Sequence, residues 1–85
     1  GGFVAIYPQL EDWNPMTGDG VMFADGTMNL IENYSLEQDE TGIYAGVYTD
    51  KLTFPIIAVF QNMTGEVKRV VIINNMGFRS KKNRK

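Results

Sequence analysis

Apolar residues in this chain come in short runs rich in Val, Ile, Phe and Tyr, separated by Gly, Asp and Asn. Runs of that length and composition predict β-strands rather than helices. The clearest unit is 54–74, FPIIAVFQ-NMTG-EVKRVVIIN. Two β-prone arms flank a turn that opens on Asn62 and carries Gly65 at its fourth position. Asn accepts a backbone hydrogen bond at such a site and Gly tolerates positive φ, so a type I turn followed by a Gly bulge is expected, closing from Asn62 to Glu66. That register sets Ile56, Ala58 and Phe60 on one face and Ile57 and Val59 on the other. Both sets are apolar, which predicts a central hairpin covered on both sides. Pro55 lacks an N–H and belongs near the start of its strand.

The segment VMFADGTMNLI at 21–31 predicts a second hairpin, with Asp25-Gly26 as a two-residue turn. GIYAGVYT at 42–49 alternates Ile43, Ala45 and Val47 against Tyr44, Gly46 and Tyr48, which suits another strand. GGFVAIY at 1–7 reads as an N-terminal strand. The span 29–42 is mixed. Asn29 with Glu32 and Ser35 with Gln38 resemble capping boxes, and Gly42 suits a helix end. Helical spacing from Leu30, Ile31 and Tyr34 nevertheless reaches Glu37 and Gln38, which are polar. The expectation is a strand to about Tyr34, then an acidic loop or a single helical turn near 35–41. The pattern as a whole predicts an all-β chain, a small antiparallel barrel or sandwich of five to six strands.

The tetrapeptide Met-Thr-Gly-acid occurs twice, at 16–19 and at 63–66. At the same offset Tyr7-Pro8 aligns with Phe54-Pro55 and Trp13 with Phe60, but Glu11 and Asp12 fall where Ala58 and Val59 stand. The first copy therefore cannot form the same buried strand. Two turns converging on Thr-Gly chemistry are favoured over a duplication.

Length, composition and charge narrow the functions. Eighty-five residues leave room for one domain. The chain has neither Cys nor His. That removes disulfides, thiolate chemistry, the usual zinc sites and His-based nucleophile systems. No apolar run approaches the ~18 residues of a membrane-spanning helix, and no basic segment followed by an apolar one marks a signal peptide. With the absence of cysteine this favours a cytoplasmic setting and no membrane partner. The Gly-Gly start reads as a processed end or as a domain cut from a longer chain. Residues 1–78 hold ten acids against Lys51, Lys68 and Arg69, a net −7, whereas 79–85 carry Arg79, Lys81, Lys82, Arg84 and Lys85, a net +5. The expected organisation is one compact β-domain over 1–78 and a disordered basic tail over 79–85.

Candidate chemistry is sparse. Glu37, Asp39 and Glu40 cluster in one polar stretch and read as a solvated charge run rather than an acid–base pair. Asp12, Asn14 and Asp19 loosely resemble calcium ligands, but Met16 and Phe23 break the EF-hand pattern, so no metal and no cofactor are expected. On a sheet Tyr44 and Tyr48 share one face, and Trp13 lies in loop-like sequence among acids, where it either anchors a partner or covers the end of the core. All three are candidate contacts for a partner protein, since Tyr and Trp are enriched at interfaces. The resulting expectation is a non-catalytic interaction or assembly module, either a structural subunit or a small inhibitor docking on a larger target. It would bind another protein or a second copy of itself. The alternative is a nucleic-acid-associated β-barrel using Arg79, Lys81, Lys82, Arg84 and Lys85 for phosphate contacts.

Overall fold

A computed structural model of the protein describes residues 2–48 and 53–75. It is all-β. Six strands, β1 (Phe3–Ile6), β2 (Gly20–Ala24), β3 (Tyr34–Asp39), β4 (Gly42–Tyr48), β5 (Ile56–Gln61) and β6 (Val67–Ile73), form two antiparallel three-stranded sheets of order β1-β4-β3 and β2-β5-β6. The sheets are not closed into a barrel. Among the described residues the helical content is one 3-10 turn at Pro15–Thr17. The tail 79–85 and its expected disorder lie outside the described residues.

One buried cluster draws on both sheets. Val4, Ile6, Ala45 and Val47 enter it from β1 and β4, and Phe23, Ile56, Ala58, Phe60 and Ile73 from the other sheet. Strand alternation explains the choice: each of these residues is flanked in its strand by neighbours on the opposite face. Trp13 and Ile31 come in from loops to complete the cluster.

The turns are set by side-chain oxygens. The β5–β6 turn forms as expected, with the Asn62 N–H donating to Glu66 O at 2.9 Å, the Gly65 N–H donating to Asn62 O at 2.9 Å, and Gly65 at φ 94°. Asn62 Oδ1 accepts from the Thr64 N–H at 3.0 Å, the Thr64 hydroxyl at 2.8 Å and the Glu66 N–H at 2.9 Å. The turn after β2 copies this arrangement three residues at a time. Asp25 Oδ1 accepts from the Thr27 N–H, the Thr27 hydroxyl and the Asn29 N–H at 2.9, 2.6 and 3.1 Å, and the Met28 N–H donates to Asp25 O. The expected two-residue Asp25-Gly26 turn is thus corrected to a three-residue loop in which Met28, at φ 66°, takes the left-handed position. Gly26 serves a different end: its N–H donates to Thr53 O at 2.7 Å and its backbone lies against the carbonyl of Phe54.

Two further expectations change. The strand expected to run to about Tyr34 instead begins there, since 25–33 holds only the bridge Ala24↔Leu30, and the expected loop or helical turn at 35–41 is strand to Asp39 with 40–41 as its turn. This is β3, an edge strand whose backbone is held by β4 in the register Tyr34↔Val47 to Asp39↔Gly42. Pairing overrides its polar composition: Tyr34 is half-buried and packs edge-on against Phe23, while Ser35, Leu36 and Glu37 stay exposed. The β5–β6 hairpin is also not covered on both sides. Ile56, Ala58 and Phe60 are buried, but on the opposite face Ile57 and Val59 are half-buried and their neighbours Val70 and Ile72 exposed.

Candidate interaction surface

The two Met-Thr-Gly turns meet in space. Gly18 (φ 107°) closes the 3-10 turn, and a Cβ placed there would lie 3.1 Å from the Cβ of Met63. Asn14 organises the first copy: its Oδ1 accepts from the Met16 N–H, and its N–H donates to Asp19 Oδ2 at 2.8 Å. Asp12 pairs with Lys68 at 2.7 Å. That contact holds the Asp12 carboxyl below the usual carboxylate range and the Lys68 ammonium above its ordinary value. The calcium-like set is therefore spent on turn formation and an ion pair. Among the described residues no group of His, Cys, Asp or Glu is arranged to hold a metal ion.

Trp13 is not an exposed anchor. It is 3% exposed, packs edge-on against Phe60 with ring centroids 5.0 Å apart, and donates its indole N–H to Gly20 O at 3.0 Å. An indole fills the end of the core where a smaller ring would leave a void. The loop carrying it is fastened to β6 twice, by Lys68 to Asp12 and by the Arg69 guanidinium donating to Gln9 Oε1 at 3.0 Å. Lys68 and Arg69 thus tie the Trp13 loop to β6.

Tyr44 and Tyr48 do share a face, outside the sheet β1-β4-β3, with Phe3 and Tyr7 beside them. Most of it is occupied by its own packing. Tyr7 and Tyr44 stack at 5.0 Å and both are buried, and Phe3 lies over Gly46, where a Cβ would approach its ring to 2.5 Å. The Tyr7 hydroxyl donates to Asp39 Oδ2 at 2.8 Å, and burial followed by that carboxylate raises its pKa far above the ordinary phenol value. Asp39 Oδ1 accepts from the Thr41 and Gly42 N–H groups, closing the β3–β4 turn. Of the tyrosines only Tyr48, 69% exposed, is open to a partner among the described residues. A cleft of about 410 Å³ lies beside this face, between the 7–11 loop and the β3–β4 turn. Of its polar side chains, Tyr7 and Gln9 are bonded to Asp39 and Arg69, and Glu11 and Thr41 complete the polar lining.

A set of exposed apolar side chains lies elsewhere. On the outer side of β2-β5-β6 the register aligns three rows: Met22–Val59–Val70, Ala24–Ile57–Ile72 and Gly20–Gln61–Val67. The bridge Ala24↔Leu30 adds Leu30 to the second row. Met22, Leu30, Val67, Val70 and Ile72 are each about half exposed or more. No position in these rows is ionisable. Arg69 shares the inner face with Val71 and Ile73 by plain alternation, and the register shift at Phe60/Gln61 takes Lys68 out of the outer rows, so both cations reach the Trp13 loop and the exposed side is left to the aliphatics. Sequence reasoning missed this surface. The signal was present in the double apolar alternation of 56–60 with 70–72, but it was read as burial on both sides.

No family model, curated protein or solved structure matches the chain. What fold and site define is therefore a class: a small all-β domain of two antiparallel three-stranded sheets, one of which presents an uncharged apolar face. Among the described residues no helix is long and apolar enough to cross a membrane.

Proposed function

We propose that this chain is a non-catalytic protein-interaction or assembly module, built as a two-layer sandwich, whose contact surface is the outer face of β2-β5-β6. The observation that carries the reading is the set of half-exposed aliphatics on that face with no charge among them. The largest contiguous apolar patch on a small soluble domain, commonly a few hundred Å², is often functional, because leaving it in water is unfavourable. Tyr44 and Trp13 support the module as core residues, and Tyr48 stays at the rim of a different face. The non-catalytic part rests on the lack of His and Cys and on carboxylates committed to structure, as with Asp25, Asp39 and Asp12. A structural subunit and a small inhibitor of a larger target both fit such a face.

The test is binding of a hydrophobic fluorescent dye to the wild type and to the double variant Val70→Lys/Ile72→Lys. Both side chains are half exposed, so the fold should survive and the melting temperature should hold. Dye binding should fall sharply. Dye binding unchanged in a folded double variant would sink the assignment.

A further inference from the structure

We propose that the open edge of β6 takes up an extended segment of another protein, which pairs with the backbone of Val70 and Ile72 as a further strand of the sheet β2-β5-β6. The contact is with backbone, so it stands apart from the reading of the outer face and goes beyond it.

Two hydrogen bonds on the far side of the sheet fix which way the backbone of β6 points. In an antiparallel sheet, successive residues of a strand direct their N–H and C=O alternately to one neighbour and the other. The Phe23 carbonyl accepts from the Ile31 N–H at 3.0 Å and the Val21 carbonyl from the Tyr34 hydroxyl, so both point away from β5. Their register partners Ala58 and Phe60 therefore turn their own backbone groups away from β2 and toward β6. There those groups meet Val71 and Arg69, with Ile56 on Ile73 in the same phase. Val70 and Ile72, which alternate with them, aim their N–H and C=O groups at the open side. β6 ends the sheet, and among the described residues nothing pairs with these groups.

The other edges are closed or guarded. β2 is capped by those same two bonds and by the Ala24↔Leu30 bridge. β3 carries Glu37, with Glu40 in its turn, and β1 has four residues. Covered, charged and short edges resist an added strand. β6 runs seven residues without proline, and its two cations are drawn off to Asp12 and Gln9.

The same row defines the occupant. Val70 and Ile72 end the aliphatic rows Met22–Val59–Val70 and Ala24–Ile57–Ile72, and Val71 is half-buried on the inner side. A strand laid beside them sets its alternate side chains against aliphatic neighbours on both faces, which selects an uncharged, β-branched segment. The row 69–73 extends roughly 17 Å. A linear segment needs that row alone. A folded partner, a second copy included, must also fit the 9–12 loop tied to Lys68 and Arg69.

The probe is a capped peptide of alternating Val and Thr with Lys at each end, N-methylated at every second residue so that one edge alone can pair. The control has the same side chains and is N-methylated throughout. Each is titrated into the full chain while amide hydrogen exchange is followed by NMR. In the free chain the Val70 and Ile72 N–H groups should exchange more than ~tenfold faster than that of Val71, which β5 holds. Equal protection of all three overturns the proposal, because the edge is then already paired. Saturating probe should slow the Val70 and Ile72 amides by ~tenfold or more, and the control should not. Val70→Pro removes one outward N–H at a position where an edge strand tolerates proline, and should abolish the effect; the two peptides keep the test independent of that variant's folding. No binding at millimolar probe overturns the proposal. A control that binds as well as the probe also overturns it, leaving side-chain contact on the outer face, which the dye experiment reads separately. Protection of these amides that grows with protein concentration alone makes the occupant a second copy and overturns the assignment to another protein.

Discussion

Replacing Gly26 by Ala tests how the turn after β2 is seated. The perturbation is a single methyl group. Built on the existing backbone, it lies 2.4 Å from the carbonyl oxygen of Phe54, 2.8 Å from its carbon and 3.1 Å from the Pro55 ring. The two nearest atoms are backbone, so no rotamer change relieves the overlap. Either the Asp25–Asn29 loop or the 53–55 segment must withdraw. Overpacking of this kind costs about 1–3 kcal/mol, and pulling the Gly26 N–H from Thr53 O adds about 1 kcal/mol. The expected loss is ~2–4 kcal/mol, which in a domain of this size lowers Tm by roughly 10–25 °C. Gly65→Ala is the counterpart. Its φ of 94° penalises any side chain, but no atom lies within 4 Å of the new Cβ. The cost there is conformational only, about 1–2 kcal/mol, and Gly65→Val follows with a larger loss. Urea and thermal unfolding followed by circular dichroism measure all three. A Gly26→Ala loss equal to or smaller than that of Gly65→Ala would refute the argument that contact, not backbone conformation, keeps glycine at 26.

Asp25 is 3% exposed, and the Thr27 hydroxyl, then the backbone N–H groups of Thr27 and Asn29, hold its carboxyl below the usual carboxylate range. A lowered folded pKa stabilises the protein above the unfolded value of about 3.9, and that contribution is lost as pH falls through the folded value. Asp25→Asn, which can keep the turn as Asn62 does, should therefore melt below the wild type at neutral pH, with the gap closing as pH drops below 4; a gap constant with pH would remove the charge from the argument. Trp13→Ala should cost about 3–5 kcal/mol, and the emission of this single tryptophan should be blue-shifted in the native state and move red on unfolding. Native emission already red, with stability unaffected, would contradict its place against Phe60. The nucleic-acid alternative depends on residues 79–85, since Lys68 and Arg69 are engaged with Asp12 and Gln9. Titration with single-stranded RNA and DNA at two salt concentrations should show only salt-sensitive binding that vanishes without those residues; none at low salt would eliminate that alternative.

Strand content was legible because alternation is a local signal. The 42–49 pattern gave β4 and the faces of Ile43, Ala45 and Val47 against Tyr44 and Tyr48, and 54–74 gave the β5–β6 hairpin with Asn62 and Gly65 in their turn positions. β3 was not legible, since beyond Tyr34 little in YSLEQD prefers a strand; the backbone of β4 imposes it. The Asp25 turn was misjudged for a related reason. Asp-Gly is a strong two-residue turn signal, but the loop obeys Asp25-x-Thr27, the same oxygen-to-Thr geometry as Asn62-x-Thr64, and Gly26 is required by a contact with Phe54, distant in sequence. The repeat that matters structurally is thus acid-or-amide, any residue, threonine, which the more conspicuous Met-Thr-Gly conceals.

The candidate surface was illegible for a deeper reason. Period-2 alternation says which residues share a face and does not say what covers that face. For 56–60 both faces are aliphatic, and two outcomes share that sequence: burial on both sides within one chain, or burial on one side and a contact with another molecule on the other. Layer count decides between them. A third layer would be needed to cover the second face, and residues 2–48 and 53–75 supply only one opposing sheet. Trp13 carried the reverse ambiguity. Acids at 11 and 12 gave it a solvent-facing context, yet Asp12 and Gln9 are the handles by which Lys68 and Arg69 draw that loop over the core. The cations that would have marked β6 as a phosphate-binding strand are those that seat the tryptophan, and their withdrawal to the inner side is what leaves Val70 and Ile72 uncharged company on the outer one.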